Sequence, residues 1–199
     1  MPEYEGRLRL RIRPFPLEVF GSGPPSPDIL EQEWWLCALQ EPAADFAPYR
    51  GEWPTTTLPA FEAAWCALQQ GEHAFLDFDL RVRRAFFAES RNIGRRDVML
   101  EIAEETGLDL PRFTRDFESG RAGPAVLEEG KLGKEQYRVR GTPTVMLPDG
   151  TRLHHPIAYP RMEDRKIVSV TPLPCCGDAC LDATRDLLNQ ALDAAVAAD

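Results

Sequence analysis

Three cysteines crowd one short stretch near the C-terminus, Pro174-Cys175-Cys176-Gly177-Asp178-Ala179-Cys180. Their spacings are Cys-x4-Cys and Cys-x3-Cys. With Asp178 as N-cap of a closing helix, Cys180 falls in the first turn. There the unpaired amides and the helix dipole favour a thiolate. Cys175 or Cys176, one loop away, can then reach it as a resolving thiol. Three readings stay open: a redox pair, small thiols buried at a helix start, or a metal site. The last would add His154 or His155 as a fourth ligand, but the spacing fits no standard zinc knuckle. His154 and His155 alternate faces of a strand, so at most one can point at the thiols. Cys37 and Cys66 sit in apolar helical faces and read as inert core, and His73 opens a helix as an exposed residue.

The second stretch with chemical character is Gly141-Thr142-Pro143-Thr144-Val145-Met146-Leu147-Pro148-Asp149-Gly150. Thr144 to Leu147 is a short β-branched and apolar run, a buried-strand signal. Pro148-Asp149-Gly150 is turn chemistry: proline presets φ, aspartate bonds its own backbone, glycine takes φ > 0. Residues 151–156 resume as a return strand. Pro143 is the odd residue, because it cannot donate to a sheet ladder at the mouth of a strand.

The elements that must position these stretches divide unevenly. Residues 7–13 alternate arginine and aliphatic with period two, which predicts a strand with one buried face. Its arginine face reads as solvated or carboxylate-paired. Residues 21–27 form a glycine- and proline-rich linker. Helices are predicted over 28–40, 58–70, 72–90, 97–106, 110–118 and 126–137, with 41–57 as loop and 120–124 as a break. Residues 166–172 form another strand after a proline-containing loop. Residues 178–198 form the closing helix, with Leu181, Leu187, Leu188, Leu192 and Val196 on its inner face.

Gly141-Thr142-Pro143-Thr144, followed by an apolar strand and an Asp-Gly turn, resembles the cis-proline segment of the thioredoxin fold. Residues 79–93 and 98–109 resemble the helical insertion of the DsbA family. They look in particular like its branch of FrnE-like oxidoreductases and 2-hydroxychromene-2-carboxylate isomerases. The resemblance covers about residues 7–199. It implies an α/β thioredoxin-like core with an all-helical insertion, the core formed by residues 1–22 and 137–199 and the insertion by 23–136. It implies a cis Thr142–Pro143 bond, with Thr142 and Pro143 presenting main chain to an extended thiol substrate. It also likens Cys175 with Cys180 to the second cysteine pair of FrnE-like proteins.

The family's core begins with a strand, a Cys-x-x-Cys or serine motif and a helix. None precedes residue 7 here, and no Cys-x-x-Cys exists in the chain. The family's nucleophile and its isomerase serine therefore map onto no residue. In the family the first strand is central, so its absence leaves two strand edges open. The expectation is a start at an internal methionine, with about 30 residues preceding it in the full protein. The alternatives are strands that close directly on each other, or a homodimer that completes the sheet.

The chain has 199 residues, 43% of them apolar, enough for one sizeable core. A net charge of −9 argues against non-specific nucleic-acid binding. No run approaches the roughly 20 apolar residues of a membrane helix. The N-terminus has no basic-then-apolar leader, and five cysteines do not make a disulfide scaffold. These features predict a cytoplasmic protein with reduced thiols. The resulting expectation is a DsbA-like thiol–disulfide oxidoreductase-family protein, weakly active or inactive without its principal motif. The alternatives are a non-catalytic binding module and a glutathione-dependent isomerase, with glutathione the one small-molecule partner implied. Expected partners are thiol- or disulfide-bearing proteins or small thiols.

Overall fold

A computed structural model describes residues 4–21, 26–40, 43–154, 160–170 and 178–198. The chain forms two compact units. One comprises residues 1–12, 28–44 and 141–199, the other 13–27 and 45–140. Against the bounds the resemblance implies, residues 28–44 fall in the strand-bearing unit, and residues 13–22 and 137–140 in the helical one.

The helical unit holds α1 (Leu17–Phe20), α3 (Leu58–Leu68), α4 (Glu72–Phe87), α5 (Arg96–Glu105), α6 (Leu110–Glu118) and α7 (Ala122–Glu135). Spacing of three and four buries one face of each helix from α3 to α7. Phe78 and Val82 from α4, Met99 and Ile102 from α5, Phe113 and Phe117 from α6 and Val126 from α7 meet in one core. Phe113 lies between Phe78 and Phe117, with ring centroids 5.6 Å from each. Asp109 caps α6, its carboxylate accepting from the Arg112 amide at 3.0 Å. Glu18 reaches from α1 to α3, accepting from Thr56 Oγ1 at 2.9 Å and from the Thr57 amide.

Helix α7 begins earlier than its composition suggests. Pro124 is its third residue, where no intrahelical amide bond is needed, so proline starts the helix instead of breaking it. Gly130 and Gly133 sit inside α7 at a cost in propensity. Their bare faces seat the rings of Phe20 and Phe15, which a Cβ at either position would overlap.

The strand-bearing unit holds α2 (Pro27–Gln40), β1 (Thr144–Met146), β2 (Arg152–His154), β3 (Pro160–Glu163), β4 (Lys166–Val170) and α8 (Asp178–Ala198). β1 pairs antiparallel with β2, and β3 with β4, as two separate two-stranded sheets. The β3 strand lies in what the sequence marks as a proline-containing loop. Pro160 opens it, a position where proline is tolerated. A two-residue turn at Asp164-Arg165, both at positive φ, closes the hairpin. α2 belongs to this unit because Asp28 grips Arg165 at 2.7 Å and Gln32 clasps the hairpin main chain.

The predicted strand over residues 7–13 is not a strand. Among the described residues it has no ladder partner, and alternation alone cannot make one. Leu10 is 69% exposed. Arg13 instead pairs with Glu129 at 3.4 Å and lies over the Tyr137 ring, within the helical unit. Tyr4 is buried against α8, its hydroxyl donating to Asn189 Oδ1 at 3.1 Å.

Candidate functional site

Residues 141–151 form the best-defined candidate site. Asp149 accepts from the Thr151 amide at 2.8 Å, and this bond holds its carboxyl below the usual carboxylate range. Gly150 takes φ +85°, the left-handed geometry the turn requires. Leu147 is buried, and its amide donates to the Thr151 carbonyl at 2.9 Å.

That last bond fixes the direction of every main-chain group in β1. Leu147 and Thr151 are a hydrogen-bonded pair, so Val145 and Leu153, two steps along the same register, are also one. Thr144 and Met146 then point their N–H and C=O groups away from β2. Among the described residues no strand lies on that side. Thr142 and Pro143 are exposed at the entrance to this edge, and the bond between them is cis. The Thr144 hydroxyl donates back to the Gly141 carbonyl at 2.6 Å.

The cysteines divide by environment. Cys66 is fully buried in α3, and its thiol is pushed up to about 12, first by burial and then by the nearby Asp116 and Glu62 carboxylates. Cys37 is half-buried in α2, and burial together with Glu33 pushes its thiol up as well. Neither is an activated nucleophile. Cys175 and Cys176 lie outside the described residues. Cys180 is the third residue of α8, in its first turn, and its side chain is outside the description. His154 is in β2, its side chain likewise undescribed, and His155 lies outside the described residues.

His73 is 92% exposed and pairs with Asp77 at 3.5 Å, a surface contact. Glu101 and Glu105 of α5 are ion-paired. Arg91 contacts them at 2.8 and 2.7 Å, and Arg81 contacts Glu105 at 2.6 Å. Among the described residues no group of three or more His, Cys, Asp or Glu side chains is placed to hold a metal ion. No described helix is long and apolar enough to cross a membrane. Thr144 and Met146 escaped the sequence reading because edge polarity depends on register. The Thr-Pro-Thr triplet does carry a signal for Thr144, since threonine hydroxyls bond backbone a few residues away.

Residues 53–156, just over half the chain, match the thioredoxin family. The protein belongs to that family, as a thioredoxin-like domain rich in helix and sparse in strand. Among curated relatives, the ClpXP adapter protein SpxH of Bacillus subtilis (strain 168) is 37% identical over 76 residues, which are 38% of this chain and 24% of SpxH. The uncharacterized protein YwbO of the same organism is 28% identical over 130 residues, covering 63% of this chain and 64% of YwbO. The chain thus spans less than two thirds of the length of either relative.

Proposed function

We propose that this chain is a DsbA-like thiol–disulfide oxidoreductase-family protein that presents an extended, thiol- or disulfide-bearing polypeptide along the outer edge of β1. The single observation that carries this reading is that edge: outward main-chain groups at Thr144 and Met146, with Thr142 and Pro143 exposed at its entrance. Main-chain hydrogen bonds would supply affinity without sequence preference. Cys175, Cys176 and Cys180 would form an accessory redox pair. In that step a thiolate attacks a substrate disulfide sulfur and one substrate thiolate leaves. A second thiol of the cluster then closes a protein disulfide and releases the reduced substrate.

The test is a count of alkylatable thiols before and after equilibration with glutathione disulfide. The reading expects two thiols to be lost together in the wild type, and none of the three that remain when Cys175 and Cys180 are both replaced by serine. Equal loss in both proteins sinks the accessory pair.

A second reading, a binding module without turnover, is favoured by the buried Cys66 and the half-buried Cys37, whose thiols are both pushed up. A relative named as a ClpXP adapter is in keeping with it. Under this reading polypeptide capture survives replacement of Cys175, Cys176 and Cys180 by serine, and no disulfide is reduced.

A further inference from the structure

We infer that the Thr144 hydroxyl is a positioning group that holds the Gly141–Thr144 segment ready for substrate, an inference that rests on the edge-capture reading above. The segment enters β1 at Thr144, which lies opposite His154 as a non-hydrogen-bonded pair, and the next pair, Val145 with Leu153, is hydrogen-bonded. Its one internal tie is Thr144 Oγ1 to the Gly141 carbonyl, at 2.6 Å. That is the short end of the range for O–H···O bonds. The bond closes the segment on itself and stands Thr142 and Pro143 outward, where both are exposed. It also occupies the Gly141 carbonyl internally. The main chain left for a partner is that of Thr142 and the outward groups of Thr144 and Met146.

A side chain that fixes a loop in its binding shape lowers the ordering cost an incoming chain must meet. Without the hydroxyl, residues 141–144 sample more conformations, and each binding event must select among them. Valine has nearly the shape of threonine and suits a strand at least as well, so it removes the hydroxyl without disturbing β1. Serine keeps the hydroxyl.

The probe is fluorescein-labelled, reduced and carboxymethylated insulin B chain, an extended polypeptide with no thiol to react, read by fluorescence anisotropy. We expect Thr144→Val to weaken binding by about 2- to 10-fold, the loss of one hydrogen bond's net effect. Thr144→Ser should bind like the wild type, and all three proteins should melt together. NMR order parameters of the Thr142 amide should fall in Thr144→Val alone. Equal binding by wild type and Thr144→Val, or equal losses in Val and Ser variants, overturns the inference. A wild type that fails to bind the B chain overturns the edge-capture reading itself, and the positioning role with it.

Discussion

The two units bury their apolar surface to very different degrees. In the helical unit Phe78, Phe113, Met99, Ile102 and Val126 are fully enclosed, and their helices contact one another on several sides. In the strand-bearing unit Leu10 is 69% exposed, Trp35 59% and Val168 50%, while its buried apolar side chains are few: Tyr4, Trp34, Leu147 and Ala194 among the described residues. Helices satisfy their own backbone, so a bundle of them needs only a shared apolar face. Strands satisfy theirs through neighbours, and two-stranded sheets are marginal alone. The contrast teaches that stability resides mainly in one unit, and the candidate binding edge in the other.

The most severe way to break this comparison is Phe113→Ala. Removing a fully buried ring that touches two others should cost about 3–5 kcal/mol, read as a lowered denaturant midpoint by circular dichroism. An unchanged midpoint would mean that the helical unit does not set the stability of the chain. Gly130→Ala comes next. Its methyl displaces the Phe20 ring, for a loss of about 1–3 kcal/mol, whereas an exposed helical Gly→Ala would stabilise. Glu18→Ala should cost about 1 kcal/mol, because it leaves Thr56 Oγ1 and the Thr57 amide without their carboxylate acceptor. The strand-bearing unit should respond more locally. Gln32→Ala should speed hydrogen exchange at the Ile167 amide while the midpoint hardly moves.

The smallest expected effect is a pH response at the β1–β2 turn. The Asp149 carboxyl is depressed, so its stabilisation is present above the ordinary aspartate value and is lost as pH falls through the folded value. The Thr151 amide resonance should therefore be steady down to about pH 4 and shift only below it. A shift centred at higher pH would remove the Asp149 turn from the description of this site.

The sequence made the helical unit readable because helical periodicity is local. Residues 110–118 are a helix with the bounds the apolar spacing indicates. The Asp-Gly turn after β1 was equally legible, since Asp149 and Gly150 act through their own backbone. Residues 7–13 show the limit of such reasoning. Their alternation says that a strand could form, and only a partner decides whether one does. Pro124 and Pro160 misled in the other direction, because proline in a first helical turn or at a strand start is compatible with the element it opens. The outward polarity of Thr144 and Met146 needed the Leu147–Thr151 bond, which no pattern of residue types encodes.

Gln32 holds the β3–β4 hairpin through a side-chain amide that copies a peptide group. Its Nε2 donates to the Arg165 carbonyl at 3.0 Å, and its Oε1 accepts from the Ile167 amide at 2.9 Å. A primary amide has no proton to gain or lose in ordinary solvent. Beside it, the Asp28–Arg165 pair depends on an ionised carboxylate. Acidification should therefore unhook the charged clasp and leave the neutral one fastened. The hairpin would stay moored to α2 through its uncharged clasp.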